Sequence, residues 1–388
     1  MDILKTNPNL TNANFTNTDL KRYPRRKNDP LQAWDSADEL LLKHLDPVAL
    51  SRSPKPPRLL ILGDQFGALS CTLETFDMTT YTDSYVSFKA IQLNSENRIS
   101  PLNHLKDLTG LYDSVLLRIP KNMSFFEDIL CHLTHHLNAG SKVICGSMVK
   151  HLAPASFELL NKYIGETSTS LAHKKARLIF ADFQRTRVQS PYPKEVKVEV
   201  PGLFHANSKS FINHSNLFSR EKLDIGTRFL LNHIPRGNSK VILDLGCGNG
   251  IIGIKAKLLN PSAQLIFSDE SNMAIQSARA NYRNYFQNQA PHPVQNHPQF
   301  QWTNCYEDPP PIEVDLVLCN PPFHQGTTLS DFIALQMFTD AHRVLTKGGK
   351  LRVIGNTHLQ YPRRLKGIFG NSEIVAANNK FTIVDAIK

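Results

Sequence analysis

The residues with the clearest chemical potential are Asn320-Pro321-Pro322-Phe323, which follow an apolar run of strand character from Val314 to Cys319. Proline has no N–H to donate, so the two prolines end the strand and form a stiff corner. An exocyclic amine on a nucleobase is a poor nucleophile, because its lone pair is delocalised into the ring. The Asn320 side-chain oxygen and the Pro321 carbonyl can accept both N–H bonds of such an amine, while Phe323 stacks on the base. The alternative is a proline-rich turn with Phe323 in the core.

A second pattern lies upstream, where a predicted buried strand from Val241 to Leu245 runs into a glycine-rich turn. Glycines there let the backbone turn and approach a ligand. The spacing is G-x-G-x-G and not the G-x-G-x-x-G of dinucleotide folds. Asp244 also places an acid beside the loop, which would repel a pyrophosphate but can hold an ammonium group or a water. We therefore expect a cofactor without a pyrophosphate, bound by Asp244, Gly246, Gly248, Asn249 and Gly250.

Two further polar residues end neighbouring predicted strands. Asp269 lies about 20 residues after the glycine loop, the distance at which an acid accepts hydrogen bonds from the hydroxyls of an adenosine ribose. Asn304 follows a third strand and is expected at the adenine edge, with a turn-capping asparagine as the alternative. Together with the corner at Asn320, these residues indicate S-adenosylmethionine and an amine acceptor, both held at strand carboxyl ends.

The chain contains the same succession of landmarks twice. In order, the matching pairs are Arg58 to Leu69 with Val241 to Ile252, Tyr81 to Ser84 with Phe267 to Glu270, Asp113 to Pro120 with Asp315 to Pro322, and Asn138 to Val143 with Thr346 to Leu351. The repeat predicts an α/β protein with two tandem copies of one domain. We place the first domain at residues 1–190 and the second at 191–388.

The first copy lacks the chemical groups of the second. Gln65 stands where the second copy has Gly248, and its side chain would obstruct a ligand. Arg118 and Lys121 stand where the second copy has Asn320 and Phe323. We therefore expect the first domain to be degenerate and non-catalytic, with Arg118 and Lys121 contacting RNA phosphates. Ordinary surface charge is the alternative for both residues.

Composition narrows the class of protein. A chain of 388 residues predicts two domains, and a formal charge of +10 with a pI of about 9.2 favours a polyanionic partner such as nucleic acid. A solvated basic surface is the alternative. The six cysteines show no C-x-x-C pair, which favours reduced thiols over disulfides or zinc. No apolar run approaches the roughly 20 residues that span a bilayer. We expect a cytoplasmic monomer that binds neither membrane nor metal, and assign no role to residues 1–30.

The glycine loop, Asp269 and the corner at Asn320 resemble the class I methyltransferases. Within them the chain is similar to the guanine-N2 methyltransferases of ribosomal RNA, in which a degenerate domain precedes an active one. This resemblance implies an α/β protein of two tandem Rossmann-like domains, each with a seven-stranded, mostly parallel sheet. These enzymes act on the small ribosomal subunit (type C) or on the large one (type G). Similarity to type G covers Pro30 to Trp34, Phe66 to Cys71, Lys174 to Ile179, Phe218 to Arg220, Leu223 to Gly226, Cys319 to Gln325 and Asn378 to Phe381.

This resemblance implies methyl transfer from S-adenosylmethionine to N2 of guanine 1835 in 23S rRNA. The base would be flipped into the corner formed by Asn320, Pro321, Pro322 and Phe323. Phe218 and Asp224 would close over the site. His324 is a candidate base, with a structural role as the alternative.

Other acceptors suit the same corner: a guanine of 16S rRNA, adenine N6 in DNA, a protein glutamine amide or a small molecule. A non-enzymatic RNA-binding assembly factor with a vestigial pocket is the rival from outside the enzymes. The intact glycines, Asp269 and Asn320 argue against that rival, because the first copy shows what loss of the site looks like.

Overall fold

The structure is a computed structural model that describes residues 20–25, 29–45, 57–198, 210–237, 239–286, 297–322 and 328–388, with backbone alone for 328–331. The chain forms two compact units, Met1–Pro191 and Tyr192–Lys388.

The first unit is a mixed sheet flanked by helices. Its strands are β1 Leu59–Leu62, β2 Met78–Tyr81, β3 Tyr112–Arg118, β4 Leu137–Met148, β5 Thr167–Thr169 and β6 Ala176–Asp182, in the order β2-β1-β3-β4-β6-β5. Its helices are α1 Ser36–His44, α2 Ala68–Thr72, α3 Tyr85–Asn94, α4 Met123–Leu133 and α5 Pro154–Tyr163. The first four strands in the sheet order are parallel, and β6 and β5 are antiparallel to their neighbours.

This sheet differs from the prediction in one respect, because it has six strands among the described residues where seven were predicted. The place beside β2 is held by Leu102, which forms a single bridge with Tyr81. Leu102 donates its N–H to the Thr80 carbonyl at 2.7 Å and accepts the Thr82 N–H at 2.9 Å. Within the described residues, the pairing beside β2 does not extend beyond this bridge.

The second unit has the predicted seven-stranded sheet. Its strands are β9 Val241–Leu245, β10 Gln264–Asp269, β11 Gln299–Trp302, β12 Val314–Cys319, β13 Leu345–Asn356, β14 Glu373–Ala377 and β15 Phe381–Ile387, in the order β11-β10-β9-β12-β13-β15-β14. Its helices are α6 Ile225–Leu231, α7 Ile251–Leu259, α8 Asn272–Phe286, α9 Thr328–Val344 and α10 Tyr361–Phe369, and a two-stranded ribbon pairs β7 Lys194–Lys197 with β8 Ser210–Asn213. The strands from β11 to β13 are parallel.

The central strands are apolar on both faces, as a parallel sheet covered by helices requires. Ile242 packs into the core on one side of the sheet, and Leu243 and Leu245 pack into the core on the other. The strand order reverses between β9 and β12, because β10 follows on one side of β9 and β12 on the other. Ligands of open α/β sheets bind at this reversal, beyond the carboxyl ends of the strands.

Within the described part of the chain, no helix has the length and apolar character needed to cross a membrane. The same residues contain no cluster of three or more His, Cys, Asp or Glu side chains able to hold a metal ion.

Candidate active site

Three adjacent strands of the second unit end at the same level. Leu245 of β9 pairs with Ser268 of β10 on one side and with Cys319 of β12 on the other. The next residues, Gly246, Asp269 and Asn320, therefore lie side by side at the carboxyl edge of the sheet. Since neighbouring strands are about 4.8 Å apart, Asp269 and Asn320 stand roughly 10 Å apart across the glycine loop. The structure brings together the acid, the loop and the amide that the sequence singled out.

The glycine loop uses backbone conformations and spaces that other residues cannot provide. Gly248 has a φ of 53°, and a Cβ built on it would meet nothing within 4 Å, so the loop faces open space there. Gly250 has a φ of 81° and begins α7, and its Cβ would lie 3.0 Å from the Cβ of Ala278. Gly250 is thus required by packing, whereas Gly248 leaves room for a ligand against the backbone.

Asp269 is tied to this loop. One of its carboxylate oxygens accepts the Gly248 N–H at 2.9 Å, and the other accepts the Ser271 N–H at 2.9 Å. The two amides fix the orientation of the carboxylate beside the glycine that faces open space.

Asp244 lies near the end of β9, two residues before Gly246 of the loop. Its side chain is buried, and Oδ2 accepts the N–H of Gly253, in the first turn of α7, at 2.8 Å. Oδ1 is also buried and has no hydrogen-bond partner among the described residues. Burial raises the pKa of Asp244 to about 8, with the Gly253 N–H acting to lower it and the charge of Asp269 to raise it further. The contact shown for Asp244 holds strand and helix together, and its predicted contact with the cofactor stays a prediction.

Asn249 connects the loop to the ribbon and to α8. Its side chain donates to the Asn213 side chain at 3.0 Å, and its carbonyl accepts from the Asn281 side chain at 3.0 Å. Asn281 also accepts the Ile212 N–H at 2.7 Å. Asn213 and Asn281 were not identified from the sequence. The available signal was only that each is an amide side chain within a strand or a helix. Both are buried and brace the loop from behind.

Asn304 makes the contacts of a turn-capping residue, the alternative that the sequence left open. Its side-chain nitrogen donates to Glu307 at 3.1 Å, and its side-chain oxygen lies 3.7 Å from the Cys305 sulfur. The Asn304 carbonyl accepts the Glu307 N–H at 3.2 Å. An adenine contact for Asn304 stays a prediction.

At the corner that ends β12, the nitrogen of the Asn320 side chain is hydrogen-bonded, and its oxygen has no hydrogen-bond partner among the described residues. The Asn320 side-chain nitrogen donates to the Thr227 hydroxyl at 2.8 Å. The Asn320 Oδ1 is buried and accepts no hydrogen bond within the described residues. Pro321 is buried and Pro322 is exposed, while Phe323 and His324 lie outside the described residues. Thr227 was not identified from the sequence.

The two residues expected to close over the site differ in their surroundings. Asp224 is the N-cap of α6 and accepts the Thr227 N–H at 2.8 Å, so it is fixed at the start of a helix. Phe218 is 71% exposed, an unusual state for a phenylalanine. Its role at the substrate stays a prediction.

Arg118 of the first unit is not placed as the sequence suggested. Its guanidinium binds Asp35 at 2.8 Å and also binds Asp38, and its side chain is 13% exposed. Two carboxylates compensate its charge, so the geometry is that of a partly buried ion pair and not of a phosphate contact. Lys121 is exposed, and its predicted phosphate contact is untested.

The cysteines near the site are packing residues. Cys247 and Cys319 are buried, and both are free thiols. Burial raises the pKa of each well above that of an ordinary thiol, which disfavours the thiolate that a nucleophile requires.

Known proteins carry the same arrangement of domains. Residues 8–185 match the family described as the RLMG N-terminal domain, and residues 208–385 match the methyltransferase small domain. The ribosomal RNA large subunit methyltransferase G of Stutzerimonas stutzeri is 42% identical over 96% of this chain and 98% of that protein. Its namesake from Photobacterium profundum is 43% identical over 95% and 96%. The chain belongs to this family. The family predicted from the sequence is thereby confirmed.

A solved structure extends the likeness to the fold of both units. The T. thermophilus 16S rRNA N2 G1207 methyltransferase, in complex with AdoMet and guanosine, superposes with a TM-score of 0.74 over 91% of this chain and 92% of that chain. At 18% identity this likeness shows the fold alone. It confirms the predicted tandem class I methyltransferase domains.

Proposed function

We propose that the chain transfers the methyl group of S-adenosylmethionine to the exocyclic N2 of a guanine in 23S rRNA, guanine 1835. The observation that carries the chemistry is the buried Asn320 Oδ1, an acceptor without a partner among the described residues. A buried acceptor costs free energy when it is unpaired, and at this edge of the sheet a bound amine can supply the missing donor. Membership of the large subunit methyltransferase G family carries the choice of 23S rRNA.

The cofactor is held by the loop and the acids around it. Gly246, Gly248 and Gly250 shape the turn, and Gly248 leaves the space that a ligand needs against the backbone. Asp269, fixed by two amides, accepts hydrogen bonds from the ribose hydroxyls. Bound S-adenosylmethionine supplies an electrophilic methyl group. The unpaired Asp244 Oδ1 suits the amino group of the same molecule, and Asn304 is assigned to the adenine edge.

The Asn320 corner orients the acceptor. The two N–H bonds of the guanine amine point at the Asn320 Oδ1 and the Pro321 carbonyl, which leaves the nitrogen lone pair facing the methyl group. The amine gains positive charge as the new N–C bond forms, so both hydrogen bonds strengthen in the transition state and lower the barrier. Orientation and proximity supply most of the acceleration. The S–CH3 bond would break as the N–C bond forms, so that S-adenosylhomocysteine is the leaving group. A strong base is not required, because the amine becomes acidic only after it has been methylated and its extra proton can then pass to water.

The base must leave its stack to reach this edge of the sheet, which costs a few kcal/mol. Stacking on Phe323 offsets about 1–3 kcal/mol of that cost. Phe218, exposed beside the start of α6, covers the flipped base from the other side, and Lys121 of the first unit contacts phosphate. We propose that the enzyme acts as a monomer in the cytoplasm and uses no metal.

The test is transfer from labelled S-adenosylmethionine to unmodified 23S and 16S rRNA, followed by nucleoside analysis. Label recovered as N2-methylguanosine in 23S rRNA alone is the expected result. Label in 16S rRNA alone would retain the chemistry and overturn the choice of 23S rRNA. No label in either RNA, or in assembled ribosomal particles, from protein that binds the cofactor would overturn the proposal and favour the assembly factor.

A further inference from the structure

The Asn320 amide is connected to a carboxylate through one hydroxyl. Asn320 Nδ2 lies 2.8 Å from Thr227 Oγ1, and Thr227 Oγ1 lies 3.3 Å from Asp224 Oδ2. The same Asp224 oxygen accepts the Thr227 N–H at 2.8 Å, so Thr227 is held by its backbone and by its side chain. Thr227 is buried, whereas Asp224 and Asn320 are partly buried.

We infer that Thr227 and Asp224 are positioning residues that decide which end of the Asn320 amide faces the guanine amine. This inference rests on the proposed function. The two ends of an asparagine amide have nearly the same shape, so packing alone does not distinguish them. Their hydrogen-bonding roles are opposite, because the oxygen accepts and the nitrogen donates.

The carboxylate sets the direction of the whole chain of hydrogen bonds. A carboxylate only accepts, so the Thr227 hydroxyl must give its single proton to Asp224. Thr227 Oγ1 then has only lone pairs to offer to Asn320. The NH₂ end of Asn320 satisfies those lone pairs, and the oxygen is left on the opposite side. A reversed amide would present N–H bonds to the N–H bonds of the substrate, which cannot bind the amine.

The first unit contains a corresponding contact between its first helix and the end of β3, formed by different chemical groups. Asp35 caps α1 as Asp224 caps α6, and Asp38 stands at the third helical position as Thr227 does. Leu62 pairs with Leu117 as Leu245 pairs with Cys319, which makes Arg118 the counterpart of Asn320. There the helix presents an acid, and its partner is a guanidinium that has donors only.

Both units thus use the third residue of this helix to hold the side chain at the end of the central strand. In the first unit the contact is a closed ion pair that leaves no acceptor for an amine. In the second unit a hydroxyl replaces the acid, an amide replaces the guanidinium, and one oxygen remains for the substrate. Thr227 and Asn320 therefore differ from their counterparts Asp38 and Arg118, whereas the helix-capping residue is an aspartate in both units.

The test compares Thr227→Val, Thr227→Ser and Asp224→Asn with the wild type in single-turnover methyl transfer to 23S rRNA. Valine has the shape of threonine without the hydroxyl, so we expect the rate at saturating RNA and cofactor to fall on the order of 10- to 100-fold. Serine retains the hydroxyl and should restore most of the rate. Asparagine caps a helix as well as aspartate does, but it can also donate, so the rate should fall although the melting temperature is unchanged.

Cofactor affinity is measured in parallel and should match that of the wild type in all three variants. A Thr227→Val variant at the wild-type rate would overturn the inference, and so would Thr227→Ser failing as badly as Thr227→Val or Asp224→Asn at the wild-type rate. Wild-type protein that forms no N2-methylguanosine would instead overturn the proposed function, so the two failures are distinguishable.

Discussion

Two glycines of the second unit separate the effect of backbone strain from the effect of ligand contact. Gly248 and Gly348 both have positive φ values, 53° and 83°, and a Cβ on either would meet no atom within 4 Å. Gly248 belongs to the cofactor loop, whereas Gly348 lies within β13, next to Gly349. Alanine is strained at both positions, but only at Gly248 would its methyl group fill space assigned to a ligand.

We predict that Gly248→Ala and Gly348→Ala each lower the free energy of unfolding by roughly 1–2 kcal/mol. Only Gly248→Ala should weaken S-adenosylmethionine binding, on the order of 10- to 100-fold, because overpacking costs about 1–3 kcal/mol. Calorimetric titration and thermal unfolding of both variants measure the two effects. Equal cofactor affinity in the two variants would place the ligand elsewhere.

Residues in a local pattern could be predicted from the sequence, and residues defined by distant partners could not. Asp269 and Asn320 follow apolar runs that end abruptly, so their place at the sheet edge could be predicted. Thr227 is 93 residues from Asn320, and no local pattern connects them. The ion pair of Arg118 was missed for the same reason, since its acids lie about 80 residues upstream.

At the scale of elements, the junction of β9, the glycine loop and α7 depends on one buried acid. The Asp244 side chain accepts a hydrogen bond from Gly253 in the first turn of α7, and burial raises its pKa to about 8. The unfolded carboxyl has its ordinary pKa near 4, so between these two values the folded state holds the extra proton. Stability therefore falls as pH rises from about 4 to about 8.

We predict that Asp244→Asn reduces this pH dependence, because an amide can accept from Gly253 without titrating. The substitution should remove at most about 1.4 kcal/mol per pH unit from the slope of unfolding free energy against pH, which is the value for one proton. Trp34 and Trp302 are the two tryptophans of the chain, so Trp302 fluorescence in a Trp34→Phe background follows unfolding of the second unit. Identical pH slopes for the variant and its parent would contradict the assignment.

The sequence predicted strands more reliably than their number. Val241–Leu245 and Val314–Cys319 are apolar runs bounded by glycine or proline, and both are strands. The seventh strand of the first sheet was expected from the family resemblance, and within the described residues its place is held by a bridge at Leu102. A repeat predicts the shared architecture, but it does not fix how many residues pair at the exposed edge of a sheet.

At the scale of the whole molecule, the two units share a fold and differ in what the end of the central strand presents. Asn320 offers an acceptor, whereas Arg118 is closed into an ion pair with Asp35 and Asp38. Burial raises the pKa of Asp38 to about 6, although Arg118 acts to lower it. The first unit therefore uses Arg118 for its own stability, and the exposed Lys121 is the residue for which we propose a phosphate contact.

We predict that Arg118→Gln lowers the free energy of unfolding of the first unit by about 3–5 kcal/mol, because it leaves a buried acid without its cation. The loss of unfolding free energy should be smaller at pH 5 than at pH 8, because Asp38 is mostly protonated at pH 5. Lys121→Gln should leave stability unchanged. It should also lower the slope of log K for RNA binding against log salt concentration by about one. An Arg118→Gln variant with wild-type stability and the RNA-binding defect of Lys121→Gln would restore the original interpretation.

The most direct test of the proposed mechanism is single-turnover methyl transfer to unmodified 23S rRNA by the wild type and Asn320→Ala, with cofactor affinity measured on both. We predict N2-methylguanosine from the wild type and unchanged S-adenosylmethionine affinity in the variant. The rate of the variant should fall on the order of 100- to 1,000-fold, the usual effect of removing one group that stabilises developing charge. A variant that methylates guanine at the wild-type rate would show that the Asn320 oxygen is not the acceptor on which this mechanism depends.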